Sequence, residues 1–231
     1  MEKGAAGLGL DLPGGALASF EAYLRMLERK NQVMDLTAVT DIKDMARLHI
    51  LDSIALLKLL PRQPGSVIDV GTGAGLPGLP LAIALPDARV CLMDARQKRV
   101  DFLCEVRDEL GLDNAFCLCA RAEELGLDPE YREGFDIAVA RAVSRLNELC
   151  ELCLPLVKPG GRFIAMKGRD SDEEIAEAAR AMEILGARPG EIYDYPIPDT
   201  DIVHRAVVIE KIAPTPAGYP RRYAKISRKP L

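Results

Sequence analysis

The sequence predicts an α/β protein with a doubly wound, seven-stranded, mostly parallel sheet and an N-terminal helical extension. Three observations lead to this prediction: apolar segments alternate with helical patterns after residue 65, a glycine-rich turn follows the first of those segments, and the preceding segment has only helical spacing. Strands that are covered on both faces read as near-continuous apolar runs. The alternation therefore favours a parallel sheet with helices on both sides.

The extension, residues 1–64, is expected to pack on the core. Asp41 is a good N-cap for its second helix, which is expected to end across residues 61–65. Its first helix carries apolar residues at helical spacing: Leu17, Phe20, Leu24 and Leu27.

The main domain is predicted to occupy residues 65–212. Because no helix separates the last two strands, one of them is expected to run antiparallel. The seven predicted strands cover residues 66–70, 89–93, 115–119, 135–140, 162–166, 191–195 and 203–209.

The composition is that of a globular protein, since 48% of the 231 residues are hydrophobic and 28% are charged. No apolar run approaches the ~18 residues of a membrane span, and the glycine-rich start lacks the apolar region of a signal peptide. We expect a cytoplasmic monomer that has no contact with membranes.

The C-terminal tail, residues 213–231, is basic. Residues 211–231 contain six basic side chains and no acid, whereas the rest of the chain carries 24 basic and 35 acidic residues. This asymmetry indicates contact with a polyanion, and the alternatives are a solvated tail or one that packs on the acidic body.

The cysteines do not predict a metal site. Cys150 and Cys153 form a single CxxC pair without two further ligands at matching spacing. We expect all six thiols to be reduced and mostly buried.

The strongest motif is the glycine-rich loop of residues 69–78, which follows the first strand and opens a helix. Gly73, Gly75 and Gly78 match G-x-G-x-x-G, a pattern that lets the backbone approach a nucleotide cofactor. Asp94 ends the second strand, where a carboxylate can accept ribose hydroxyls. The loop alone leaves two classes of protein open, a nucleotide-dependent oxidoreductase and a methyltransferase.

The strand-ending Asp69 before the glycines resembles the first motif of class I S-adenosylmethionine-dependent methyltransferases, which have a Rossmann-like fold. In those enzymes the acid lies near the methionine end of the cofactor. Residues 140–143 lack the Pro-Pro-aromatic element that amine methylation of bases usually uses, and no Pro-Cys pair supplies a nucleophile. An acceptor with a free lone pair, such as guanine N7, suits this pattern.

An ordered set of motifs resembles the bacterial small-subunit ribosomal RNA guanine-N7 methyltransferases, the family also called glucose-inhibited division protein B. The resemblance covers the chain after its first fifteen residues, with Asp35 in place of the family's Asn and Leu48 inserted between the Arg and His of a second motif. The matching stretches are 35–37, 47–53, the glycine loop, 121–124, 141–143, 167–168 and the tail from Tyr219 to Leu231.

This resemblance implies methylation of guanine N7 at one position in the 530 loop of 16S ribosomal RNA, with naked RNA or the 30S subunit as substrate. Carried over by motif, the contacts to S-adenosylmethionine are Gly71, Leu76, Ala122, Glu123 and Arg141. Gly73, Gly75 and Asp94 follow from the fold. The expected RNA-binding side chains are Arg121, Arg141, Lys167, Arg205, Arg221 and Arg222.

No catalytic residue is predicted, because guanine N7 has an in-plane lone pair and needs no deprotonation, so positioning is expected to supply the rate. Asp69 and Glu123 are interpreted as cofactor-placing groups rather than bases. His49 and Asp52 share a helix face and are interpreted as a hydrogen-bonded packing pair. A non-catalytic ribosome-binding protein remains an alternative to the enzyme.

Overall fold

The computed structural model describes residues 1–61 and 64–231, so the predicted helix end across residues 61–65 lies partly outside it. A single seven-stranded sheet forms the centre, with the strand order β3-β2-β1-β4-β5-β7-β6. Its strands are β1 (Ser66–Val70), β2 (Arg89–Asp94), β3 (Ala115–Cys119), β4 (Phe135–Arg141), β5 (Val157–Gly168), β6 (Ala187–Pro196) and β7 (Val203–Lys211).

The predicted doubly wound sheet is confirmed. β1 pairs in parallel with both β2 and β4, while β7 is antiparallel to its neighbours β5 and β6. The chain therefore reverses its direction of travel across the sheet between β1 and β4. In such sheets, ligands bind beyond the carboxyl ends of the strands at this switch point.

Ten α-helices cover the sheet in the described part of the chain. A π-helical turn, Ala46–Leu51, joins α3 to α4, and Asp41 caps α3 by accepting two backbone N–H bonds, as predicted. The helices are α1 (Glu2–Gly7), α2 (Ala16–Met34), α3 (Ile42–Met45), α4 (Asp52–Ala55), α5 (Gly78–Ala84), α6 (Gln97–Leu110), α7 (Ala122–Leu125), α8 (Leu146–Cys153), α9 (Asp172–Ile184) and α10 (Tyr223–Arg228). None of the helices described is long and apolar enough to cross a bilayer.

The N-terminal helices are continuous with the core on one face of the sheet. Phe20, Leu24 and Leu27 of α2 belong to the same hydrophobic cluster as side chains of β1, β2 and α5. The Tyr23 hydroxyl donates to the Ala74 carbonyl of the glycine-rich loop at 2.9 Å. The N-terminal helices therefore contact the glycine-rich loop and help to hold it in place.

Two strands begin earlier than predicted. β5 starts at Val157 and passes through residues 159–161, ahead of the predicted start at residue 162, and β6 starts at Ala187 instead of residue 191. A register shift between Phe135 and Ile137 of β4 lets β5 pair on both sides of this segment. Gly160 adopts a φ of +89°, which glycine tolerates without strain.

The cysteines are less buried than predicted, since Cys104 and Cys117 are only half-buried. All six are free thiols, and Cys91, Cys150 and Cys153 are buried. Cys119 is exposed at the end of β3, which the prediction of mostly buried thiols did not anticipate. Burial raises the pKa of the Cys150 thiol well above its ordinary value, so this group stays protonated.

The basic tail is folded on the body. Ile226 of α10 is fully buried in the second hydrophobic cluster, on the face of the sheet covered by α8 and α9. The Arg132 guanidinium donates to the carbonyls of Gly126, Thr215 and Tyr219, at 2.7 to 2.8 Å. The alternative of a solvated tail is therefore wrong.

Candidate functional site

A cavity of about 460 Å³ lies at the carboxyl ends of β1, β2 and β3, and we call it the glycine-loop cavity. Four of the predicted cofactor contacts lie on its wall: Gly71, Asp94, Ala122 and Glu123. Its lining also includes the predicted RNA-binding Arg121, the two arginines that follow Asp94, and the apolar side chains of Val143, Leu152 and Tyr223.

Gly71 keeps the mouth of this cavity open. Its φ is +73°, and a Cβ at this position would lie 3.0 Å from Cγ2 of Val143. A larger residue would be strained and would also press on the opposite rim. Glycine is therefore required here both for the turn and for access.

Asp94 is buried at the floor of the cavity and binds the glycine loop directly. Its Oδ2 accepts from the Gly73 backbone N–H at 3.0 Å and from Arg99 at 3.3 Å, and its Oδ1 accepts from the Arg96 backbone N–H. A carboxylate has about four acceptor positions. One is left for a ligand hydroxyl, and the long Arg99 contact is the one most easily exchanged.

The other predicted loop contacts lie behind the cavity wall. A Cβ on Gly75 would be 2.3 Å from Cδ1 of Leu79, so this glycine lets the loop pack on α5. The Leu76 side chain is buried in the core cluster. Gly73 borders the cavity through its bond to Asp94 but is not part of the lining.

Asp69 lies behind the glycine loop and does not line the glycine-loop cavity. The side chain is fully buried, and its Oδ2 accepts from the Thr72 hydroxyl and from the Gly78 N–H at 2.7 Å. Burial raises the pKa of Asp69 to about 7. The carboxylate therefore holds the glycine loop from behind.

A second cavity, also of about 460 Å³, adjoins the first, and Ala142 lines both. We call it the Asp52 cavity. Its walls are mainly apolar, with polar groups at a few points. The lining residues are Val39, Leu48, His49, Asp52, Arg141, Ala142, Met166, Lys167, Gly168, Ile202 and His204.

Asp52 connects three separate elements around this cavity. Its carboxylate is 1% exposed and accepts from Arg141 at 3.0 Å, from the Tyr195 hydroxyl at 2.8 Å and from Nδ1 of His204 at 2.8 Å. Arg141 also donates to the Leu48 carbonyl at 3.0 Å. The predicted cofactor contact Arg141 therefore lies in the Asp52 cavity, on the far side of Ala142 from the glycine loop.

The two histidines that line this cavity have pKa values shifted in opposite directions. Burial, followed by the Arg141 charge, lowers the pKa of His49 to about 4, whereas the Asp52 carboxylate raises the pKa of His204. The expected hydrogen bond between His49 and Asp52 does not form. Arg141 lies between them, and His49 Nε2 bonds the Thr37 hydroxyl at 2.8 Å.

The structure brings only some of the predicted RNA-binding side chains to the two cavities. Lys167 lines the Asp52 cavity, but its Nζ is held by Glu174 at 2.6 Å. Arg205 is bound by Asp194 and by Asp172, at 2.6 and 2.7 Å, so its guanidinium faces neighbouring acids rather than the site. Arg121 reaches solvent, with 57% of its side chain exposed, and its guanidinium lies 3.8 Å from the Glu123 carboxylate.

The tail arginines have different surroundings. Arg221 makes a bidentate pair with Glu151, whose side chain is 0% exposed, and it also donates its backbone N–H to that carboxylate. Arg222 is exposed. Because the charge of Arg221 is already matched inside the protein, we remove Arg221, together with Arg205, from the RNA-binding set.

A family model described as rRNA small subunit methyltransferase G matches residues 16–201 of this chain. The chain belongs to the rRNA small subunit methyltransferase G family. Its relatives include the ribosomal RNA small subunit methyltransferase G of Acetivibrio thermocellus, which is 44% identical over 99% of this chain and 94% of that protein. The same-named protein of Clostridium beijerinckii is 43% identical over 100% and 97%.

Solved structures agree on the fold of this methyltransferase G family member. A SAM-dependent methyltransferase from Aquifex aeolicus has a TM-score of 0.54 at 21% identity, over 79% of this chain and 97% of its own. A SAM-dependent O-methyltransferase from Thermotoga maritima also has a TM-score of 0.54, at 16% identity over 82% and 72%. The predicted fold, family and methyltransferase activity are confirmed, and the oxidoreductase and the non-catalytic protein are set aside.

Proposed function

We propose that this protein transfers a methyl group from S-adenosylmethionine to N7 of one guanosine in the 530 loop of 16S ribosomal RNA. The observation that carries the proposal is the meeting of two cavities at Ala142, one beside the glycine loop and one beside Asp52. Methyl transfer needs a donor and an acceptor in line, and adjoining sites can hold both. The family to which the chain belongs supports the nature of the acceptor.

The glycine-loop cavity suits S-adenosylmethionine. Its volume lies within the range of about 300–1,000 Å³ usual for small-molecule sites. Asp94 offers a carboxylate for ribose hydroxyls, Ala122 and Glu123 border the edge where adenine would lie, and Gly71 leaves the mouth open. When bound, S-adenosylmethionine supplies an electrophilic sulfonium methyl group.

The Asp52 cavity suits a flat, polar-edged base. Apolar side chains from several elements can pack on the ring faces: Val39, Leu48, Met166 and Ile202. The polar atoms lie at defined points and belong to Arg141, Lys167 and His204. Donors of this kind match guanine O6 and the neighbouring phosphates, which are acceptors.

The electrostatics of the Asp52 cavity suit an acceptor that becomes cationic. Methylation gives guanine a positive charge, which an unpaired lysine or arginine nearby would oppose. Arg141 is paired with Asp52 and Lys167 with Glu174, so each cation has a carboxylate beside it. These residues orient the base and balance its charge, and no proton has to be removed from N7.

The remaining RNA contacts are assigned to exposed cations. Arg121 lines the glycine-loop cavity, and Arg222 lies beside it on the tail. They supply local positive charge on a chain whose net charge is −5. We further propose that the protein works as a monomer in the cytoplasm, on 16S RNA or the 30S subunit.

The test is methyl transfer to ribosomal RNA from a strain that lacks the enzyme. Purified protein, radiolabelled S-adenosylmethionine, and either naked 16S RNA or 30S subunits are incubated, and 7-methylguanosine is mapped by chemical cleavage. We expect one modified guanosine in the 530 loop and none with a Gly71→Val control. Modification at another atom or outside that loop would overturn the proposal.

A further inference from the structure

The C-terminal tail is built into the wall of the glycine-loop cavity. Tyr223, the first residue of α10, lines that cavity together with Arg121, Ala122, Glu123 and Leu152. The tail therefore contributes to the cavity surface in addition to packing on the rest of the protein.

The position of Tyr223 is fixed from both sides. Arg221, two residues before it, is held by the buried Glu151, and Ile226, three residues after it, is fully buried against the second hydrophobic cluster. The Tyr223 side chain itself is 41% exposed and is one of the large hydrophobic side chains that stay exposed in the described structure. Val143, another of these, is 40% exposed and lies on the same cavity.

An aromatic ring that stays exposed on an anchored segment at the rim of a cavity indicates a surface kept for a ligand. Tyr223 also borders a neighbouring depression formed by the segment from Arg121 to Leu127. The ring therefore lies on the α7 side of the glycine-loop cavity, and it does not line the Asp52 cavity.

We propose that Tyr223 is a cofactor-binding residue that packs on the adenine of S-adenosylmethionine, so that the tail completes the cofactor site. This inference rests on the proposed function. Adenine presents a flat π-face that a tyrosine ring can cover, with no need for the hydroxyl. The structure places the Tyr223 ring on the cavity that suits the cofactor.

The test measures binding without turnover. Calorimetry with S-adenosylhomocysteine compares the full-length wild type with Tyr223→Ala, Tyr223→Phe and the matched control Lys225→Ala, an exposed cation of the same helix that lines neither cavity. We expect affinity on the order of tenfold weaker for Tyr223→Ala. Tyr223→Phe and Lys225→Ala should keep wild-type affinity, and the melting temperature without ligand should not change.

A second probe locates the contact. 5′-Methylthioadenosine keeps the adenosine but lacks the amino-acid portion, so Tyr223→Ala should weaken its binding by the same factor. Equal affinity of wild type and Tyr223→Ala would overturn this inference alone, as would a loss seen with S-adenosylhomocysteine but not with the shorter probe. Failure of the wild type to bind either compound would overturn the proposed function as well.

Discussion

The two cavities that meet at Ala142 are built in different ways. The glycine-loop cavity is made largely of short segments at strand ends, and its central contact joins Asp94 to a loop only 21 residues before it. The Asp52 cavity brings together α4, β4 and β7, and the partners of Asp52 lie 89 to 152 residues further along the chain.

This difference separates two kinds of polar site. Around the glycine loop the buried carboxylates of Asp69 and Asp94 hold the backbone, and the cavity surface carries charged side chains as well as apolar ones. Around Asp52 the polar side chains hold one another and still face the cavity. The first site is therefore sensitive to the shape of the loop and the second to the loss of a single charge.

The largest effect is expected at Asp52. Asp52→Ala leaves Arg141 and His204 without their carboxylate and should lower the free energy of unfolding by about 3 kcal/mol, the low end for a broken buried pair because both partners are partly exposed. Urea denaturation measures the change. The control Asp44→Ala removes the exposed partner of Arg47 and should cost less than about 0.5 kcal/mol. Equal effects of the two substitutions would contradict the role given to Asp52.

The next effect concerns access to the glycine-loop cavity. Gly71→Ala and Gly111→Ala both put a side chain at positive φ, +73° and +61°, which costs roughly 1–2 kcal/mol of stability each. At Gly71 the added Cβ would contact the Val143 side chain, whereas at Gly111 nothing lies within 4 Å. Of the two substitutions, only Gly71→Ala should therefore also weaken S-adenosylhomocysteine binding, by at least about tenfold. Unfolding curves of both variants measure the cost of backbone strain, and calorimetry with S-adenosylhomocysteine then measures whether access to the cavity is lost. Unimpaired binding by Gly71→Ala would remove this residue from the mouth of the cavity.

A smaller effect is the change of stability with pH, which should have opposite signs for His49 in the Asp52 cavity and for Asp69 behind the glycine loop. The lowered pKa of His49 contributes stability that is present above pH 6.5 and lost as the pH falls toward about 4. The raised pKa of Asp69 contributes stability that is present below pH 3.8 and lost as the pH rises toward about 7.

Relative to wild type, His49→Gln should therefore gain stability as the pH falls, and Asp69→Asn should gain stability as the pH rises. Unfolding free energies measured by denaturant between pH 4 and 7 give both differences. Differences that do not vary with pH would show that neither group is shifted as the structure indicates.

The smallest effect concerns RNA affinity. Arg121→Ala removes an exposed cation and should flatten the slope of log affinity against log salt by about 0.7–0.9 for a 530-loop RNA fragment. Arg205→Ala removes a cation already bound by Asp194 and Asp172, so it should lower the melting temperature and leave the slope unchanged. A flatter slope for Arg205→Ala would restore this residue to the RNA-binding set.

Much of the fold could be predicted because its signals are local. A strand, a glycine loop and a helix follow one another within a few residues, so apolar periodicity and positive-φ glycines locate β1, the loop and α5 directly. The start of β5 could not be placed in this way. Residues 159–161 have the composition of a turn, and β5 continues through them because β4 pairs with it on either side, at Val157 and at Arg162.

The candidate site was predictable to the same extent. Four of the contacts predicted for the cofactor, Gly71, Asp94, Ala122 and Glu123, lie on one cavity because each follows or ends a parallel strand. Tyr195 and His204 were missed, since neither stands in a recognisable motif. The only signal was Asp52 itself, an acid on an otherwise apolar helix face, which needs buried partners from elsewhere.

The sequence by itself determined the order of strands and helices, the glycine loop and the family resemblance, because these depend on neighbours along the chain. Only the tertiary structure decided which charges are free. Arg141, Arg205 and Arg221 look equally available in the sequence, yet each faces a carboxylate that another strand or helix supplies, at Asp52, Asp194 or Glu151. The energy of a charge depends on its burial and on the opposite charge beside it, and folding sets both.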